Sequence, residues 1–449
     1  MNYLALVVEL HHPLPAPGAA VGRDWALAAV ETYWPLLRVL AGLVERHADA
    51  ALTVAVSPSW TALASDPTAQ TLARAELDRR SRWSDYWRHV RRFAVENWGA
   101  DPLGPLRQAR DSAAVEVIAT TASPTWLPSV AVEPVLARAQ VRLAAADFER
   151  TFGGPAPGIW LPFLSYRPGL ESVLAESGLR YFGVGSDAFV RGTNRPPEDV
   201  FAPMVTPPGV AAFAVCPEPA RHLTEASVRY ARDARYSDPA RVADAVREHA
   251  AHFVATWRGL VGAARNEGAI SVASVAAHDL GGDWSSGPDW LDAVLRRLAE
   301  GGPDDPRPMT PGRYLDRYPE AALGRPGPSA GGELSARPGG TDLLDQVRVA
   351  SEALRAAVER RACLGPLGRR ALAQMARSLL QAQRLDWNVP PGRGLSFETG
   401  LDAARRSLER FHELAALLAA GRLDPARLTE LEEGPAYLPD IDPNLLAEG

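Results

Sequence analysis

Lysine is missing from this chain: all 48 residues counted as Lys+Arg are arginine. Methionine is scarce, with 4 residues, while proline reaches 39. GC-rich codon usage produces this pattern; the Lys and Glu enrichment of hyperthermophile proteins is not there. Only two cysteines occur, Cys216 and Cys363, too far apart for any metal or redox spacing. A reducing setting suits two idle thiols, so the expected location is cytoplasmic. A basic excess is also lacking, because Asp+Glu number 54 against 48 and the net charge is -6. Electrostatics therefore give no reason to expect nucleic acid or an anionic membrane as partner. No apolar run is read as approaching the roughly 20 residues that cross a bilayer. Met1 to Leu10 lacks both the basic leader and the small-residue cleavage site of a secretory signal. No internal repeat is visible.

What remains is the composition of a globular protein, 46% hydrophobic and 23% charged over 449 residues. That length exceeds one average domain, so a large domain and a smaller one are expected. Short apolar runs alternate with helical patterns through the first two thirds. Strands are expected at 3–8, 52–56, 114–118, 180–184, 210–215 and 269–275, and the spacing predicts an amphipathic helix over 31–46. Strand, helix, strand repetition implies an α/β architecture of parallel strands buried on both faces, as a barrel or a doubly wound sheet. An Arg-, Asp- and Trp-rich helical insertion interrupts it at about 66–112. Gly, Pro and Ser crowd the stretch from 316 to 341, which reads as a linker or loop, and 342–449 reads as a helical domain.

Several segments carry a more specific signal. Trp160-Leu161-Pro162-Phe163-Leu164-Ser165-Tyr166 resembles the W-L-P-E-C-x-Y nucleophile strand of glycoside hydrolase family 57. In the same order, Glu31 to Leu37 is similar to that family's first helix and Glu248 to Phe253 to the helix before its acid/base strand. Gly287-Pro288-Asp289-Trp290, Thr310-Pro311 with Tyr314-Leu315, and Gln381 to Trp387 continue the series. The chain is thus identified as a member of family 57, of the α-1,4-glucan branching-enzyme kind. The resemblance implies a distorted (β/α)7 barrel over residues 1–315, a helical domain after it, and a site at the C-terminal ends of the strands.

The same resemblance implies that the chemistry is gone. Retaining glycosidases need two carboxylates about 5 Å apart, a nucleophile and an acid/base. At the nucleophile position stands Phe163, and gapless alignment from Gly287-Pro288 puts Ala276 at the acid/base position. The family's opening H-x-H is Glu9-x-His11 here, and its T-H after strand three is Ser123-Pro124. Glycosidic bonds hydrolyse so slowly that catalysis must supply about 20 kcal/mol. Stacking and hydrogen bonds alone bind ground and transition state alike, giving affinity without turnover.

Ligand contacts are therefore expected rather than catalytic residues: Glu9 and His11 at the end of the first strand, Trp160, His278, Asp279, Trp284, Asp386 and Trp387. Indole rings stack on the apolar faces of sugars, though each of these tryptophans has core packing as its bland alternative. His249 and His252 sit three apart on a helix and are read as structural. Trp83, Trp87 and Trp98 are read as packing the insertion onto the barrel. Neither a metal nor a cofactor is expected. The expectation is a catalytically inactive protein that binds α-glucan, as glycogen or maltooligosaccharide, or pairs with an active paralogue or another enzyme of glycogen metabolism. The competing expectation is an active branching enzyme or α-glucan hydrolase using relocated carboxylates such as Glu9, Asp279 or Asp283.

Overall fold

The structure, a computed structural model, describes the chain except residues 47–50, 113, 131–133, 226–227, 263, 265–266, 283, 303–304, 330–339, 386–396 and 447–449. Its sheet has nine strands, two of them only two residues long, Met204–Val205 and Arg307–Pro308. The other seven are parallel: β1 (Tyr3–Leu10), β2 (Leu52–Val56), β3 (Val115–Ala119), β4 (Gly158–Trp160), β5 (Tyr181–Gly185), β6 (Ala211–Val215) and β7 (Ile270–Ala276). They run in sequence order around a ring that closes where β1 pairs with both β2 and β7. A closed barrel, not an open doubly wound sheet, is the outcome.

Alternation decides which residues fill the barrel. On β1, Tyr3, Ala5 and Val7 face an inner cluster with Ile118, Trp160, Tyr181, Phe213, Ile270 and Val272. Leu4, Leu6, Val8 and Leu10 face the helices instead. Both faces are apolar, which is why these strands read as continuous hydrophobic runs. The ring closes tightly between β4 and β5 through two aromatic–glycine pairs, Gly158 beside Tyr181 and Trp160 beside Gly183. A Cβ on Gly183 would lie 2.5 Å from the Trp160 ring, and one on Gly158 would lie 2.6 Å from Tyr181. Tyr3 and Tyr318, whose hydroxyls are 3.1 Å apart, plug the N-terminal end.

The run from Arg23 to Glu45 is long and apolar enough by composition to cross a membrane, which corrects the expectation that no such run exists. It serves as a core helix here, with 67% of its most apolar window buried in the protein. Within the expected insertion lie helices Pro67–Ser81, Asp85–Arg91 and Leu103–Arg110. Trp87 and Trp98 pack there, whereas Trp83 is 81% exposed. In the Gly/Pro-rich stretch, residues 322–329 are hydrogen-bonded to the barrel rim. Val205 bonds to the Ala322 carbonyl, Thr193 and Arg325 exchange bonds, and so do Tyr166 and Ser329. Helices Gly340–Glu359, Pro366–Ala382 and Phe397–Ala419 come next. They share one continuous apolar core with the barrel.

Candidate functional site

The inward parity of β1 continues past Val7, so Glu9 is the next side chain directed into the barrel. Its register partner on β7 is Ala276, and on β2 Ala55. Adjacent strands lie about 4.8 Å apart, so the Glu9 carboxyl stands one strand away from the Ala276 methyl. Both line a cavity of about 670 Å³ at the C-terminal mouth of the barrel. His11, Trp160, Phe163, His278 and Asp279 line it too. Residues distant in sequence thus converge on one space.

Burial dominates the Glu9 carboxyl and pushes it up to about 7, with Asp279 adding a smaller upward contribution. Trp160 and Ser274 favour the anion but do not cancel the burial. Asp279 is 2% exposed; His278 Nε2 lies 3.8 Å and Arg229 Nη2 4.0 Å from its carboxylate. His11 is fixed by Ser57 and Ser59, whose hydroxyls lie 3.1 and 3.3 Å from Nδ1. Ser57 in turn caps the helix Pro58–Ala64.

Phe163 lies in a tight turn straight after β4. Its φ is 58° and that of Leu164 is 53°, both left-handed. Such a conformation costs roughly 1–2 kcal/mol per non-glycine residue. Backbone bonds from Leu164 to Leu161 (2.9 Å) and from Ser165 to Pro162 (3.1 Å) hold it, and the Tyr166–Ser329 pair anchors the C-terminal side of the turn. Strain of this kind persists only where the surroundings over-determine it, and it collects at functional sites.

Not every candidate reaches the cavity. Trp284 is 2% exposed and packs against Tyr236 (5.5 Å) and Trp290 (5.6 Å), away from the cavity lining. Trp160 is 1% exposed, so little of its indole is available for stacking. Asp386, Trp387 and Asp283 lie outside the described residues.

Other groups were not among the candidate residues singled out from the sequence. Ser274 follows from the parity of β7, and Glu116, bonded to Tyr181 at 2.5 Å inside the barrel, from that of β3. Burial raises the Glu116 carboxyl above its ordinary value. Cys216 contributes to the cavity wall, with its thiol pushed up to about 11 by burial. Arg229 had no local signal. It arrives on the 223–238 stretch, which is held by aromatic and histidine contacts: Tyr230 stacks between His222 (5.1 Å) and His249 (4.4 Å). Tyr230 Oη lies 2.7 Å from His252 Nδ1, and Tyr236 Oη 2.9 Å from His249 Nδ1. Among the described residues no group of three or more His, Cys, Asp or Glu is arranged to hold a metal ion.

Known proteins resemble the chain from end to end. Residues 5–215 match glycosyl hydrolase family 57, and residues 346–445 match the 1,4-alpha-glucan branching enzyme C-terminal family. The 1,4-alpha-glucan branching enzyme of Thermococcus kodakarensis is 27% identical over 96% of this chain and 76% of its own length. A probable 1,4-alpha-glucan branching enzyme of Mycobacterium tuberculosis is 26% identical over 96% of this chain and 94% of its own. The fold matches the crystal structure of an alpha-amylase from Thermotoga maritima, with a TM-score of 0.86 and 22% identity over 100% of this chain and 99% of that one. It also matches a family 57 branching enzyme from Pyrococcus horikoshii, with a TM-score of 0.84 and 23% identity over 99% and 96% of the two chains. The chain thus carries a glycosyl hydrolase family 57 domain over residues 5–215 and a 1,4-alpha-glucan branching enzyme C-terminal domain over residues 346–445, on a fold shared with enzymes of that family.

Proposed function

We propose that this protein is a catalytically silent relative of the family 57 branching enzymes, and that its barrel cavity binds α-glucan, or docks a partner enzyme of glycogen metabolism, without turning sugar over. One observation carries the reading. The two cavity-lining positions that the family resemblance assigns to the catalytic carboxylates hold a phenyl ring, Phe163, and a methyl group, Ala276. Neither attacks an anomeric carbon nor protonates a leaving oxygen. A cavity of 670 Å³ is ample for sugar residues. The setting is the cytoplasm.

Retardation on a native gel containing glycogen tests binding, and co-purification with a glycogen-metabolism enzyme tests pairing. Incubation with amylose, followed by iodine staining and reducing-end assay, tests turnover. Retarded migration or co-purification, with unchanged amylose, is the expected result. New α-1,6 linkages made by pure protein overturn it. The double change Phe163→Glu with Ala276→Asp is expected to restore less than a thousandth of the activity of a branching relative. It would place a new carboxyl beside Glu9, and like charges so close cannot both ionise readily.

A second reading has an observation in its favour. Glu9 and Asp279 line the same cavity, and burial holds the Glu9 carboxyl near neutrality, where an acid catalyst works. If these relocated carboxylates act, Glu9→Gln abolishes a measurable amylose-modifying activity of the unmodified chain.

A further inference from the structure

A second cavity, of about 320 Å³, lies between the loop 14–19, the helices Pro366–Ala382 and Phe397–Ala419, and the C-terminal stretch 432–439. It shares no lining residue with the barrel cavity. Two arginines form part of its wall, Arg377 and Arg410, the latter only 8% exposed. Arg410 donates to Ser378 Oγ (2.9 Å), the Leu431 carbonyl (3.2 Å) and Gln381 Oε1 (3.0 Å). Arg377 donates to the carbonyls of Tyr437 (3.0 Å), Leu438 (3.1 Å) and Pro439 (2.8 Å) and to Gln374 Oε1 (3.2 Å).

Every one of these acceptors is neutral. Glu432 on the same wall is engaged by Arg370 at 2.5 Å. Glu432 and Asp440 offset only part of the burial of Arg377, whose guanidinium stays below its ordinary value. Burial, and then the like charge of Arg377, holds the Arg410 guanidinium down at about 10. A guanidinium carries five N–H donors, and the contacts above engage three nitrogens on each arginine, so donors remain on both. Arg410 is buried and Arg377 half-buried; both bond neutral acceptors, and although the wall also carries Glu432 and Glu433, Arg377 stays only partly compensated. The ligand that relieves them is a compact oxyanion with several acceptor oxygens, to which paired arginine forks are matched. The cavity exceeds the size of a bare ion and falls at the small end of metabolite sites.

We infer that this cavity is a binding site for a phosphate group, free or as the monoester of a small metabolite, held by Arg377 and Arg410 where the N-terminal loop meets the C-terminal helices. Bound there, the phosphate ties together three parts of the chain that are distant in sequence.

Calorimetric titration of the full-length chain with inorganic phosphate, glycerol 3-phosphate and plain glycerol, at matched ionic strength, tests this. Saturable binding of one or both phosphate probes and none of glycerol is expected; whichever phosphate binds tighter identifies the source. Arg410→Gln is expected to weaken binding at least tenfold. Ala436→Glu, a wall position, supplies an internal carboxylate and is expected to do the same without touching the core; it decides the matter if Arg410→Gln does not fold. Glu9→Gln, in the other cavity, is expected to leave phosphate affinity unchanged. Absence of saturable binding in the unmodified chain, or undiminished binding in Ala436→Glu, overturns the proposal.

Discussion

Burial keeps the Glu9 carboxyl protonated up to about pH 7, against an ordinary value of 4.5. A carboxyl whose pKa burial raises on folding costs nothing below its unfolded value, and the cost grows as pH rises from there to the folded value. Glu9 is therefore neutral in its effect at pH 4 and increasingly costly between 4.5 and 7, by an amount on the order of 3 kcal/mol at its limit. Glu9→Gln is expected to raise the melting temperature at pH 8 and leave it unchanged at pH 4.5, as read by thermal denaturation at both pH values. The neighbouring strained residue invites a similar comparison. Asparagine tolerates the left-handed region better than a β-branched residue does. Phe163→Asn is thus expected to cost less stability than Phe163→Val by about 1 kcal/mol, measured by urea titration; equal losses would show that the turn relaxes freely.

Elements impose their own conditions. The space beside Gly183 of β5 is filled by the indole of Trp160, and that beside Gly158 of β4 by the ring of Tyr181. Gly183→Ala must displace an indole that is 1% exposed, and is expected to cost about 1–3 kcal/mol as overpacking does. The same shift moves the Trp160 edge of the barrel cavity, so on the proposed glucan-binding reading retardation by glycogen is expected to weaken in parallel. On the helix Val242–Gly262, against which the 223–238 stretch packs, burial lowers the His249 pKa, and Asp233 only partly opposes this. A histidine kept neutral by folding contributes stability that is lost as pH falls below its unfolded value. The urea midpoint is therefore expected to drop between pH 7 and pH 5.5, and His249→Phe to flatten that drop. An unchanged slope in the variant would remove His249 as the cause.

At the scale of the molecule, the C-terminal helices are joined to the barrel by buried polar contacts as well as by the shared core. Tyr437 donates to the Ala122 carbonyl at 2.6 Å, Gln140 to Gln383 at 2.7 Å, and Leu385 to the Pro124 carbonyl at 2.8 Å. One continuous core predicts one calorimetric transition. Tyr437→Phe leaves a buried carbonyl unpaired and is expected to cost about 1–3 kcal/mol while keeping that single transition. Two separated peaks would mean that the helical part and the barrel unfold independently.

The strands, their parallel order and the family were legible in the residues themselves. Runs such as Tyr3–Val8 and Leu52–Val56 are apolar on both faces, and only a strand covered on both sides requires that. Parity along β1 and β7 likewise carries Glu9, Ser274 and Ala276 to one mouth once the strands are known to lie side by side. Trp284 misled because an indole in a family motif looks the same whether it meets sugar or packs on Trp290. The stretch 322–329 looked like loose linker, since its bonds to Tyr166, Thr193 and Val205 are made by backbone groups that composition does not mark. Arg229 beside Asp279, and Arg377 beside Arg410, also belong to the tertiary structure alone. Local patterns record which face of a strand or helix is dry, whereas the meeting of charges from distant segments depends on how those faces are finally packed.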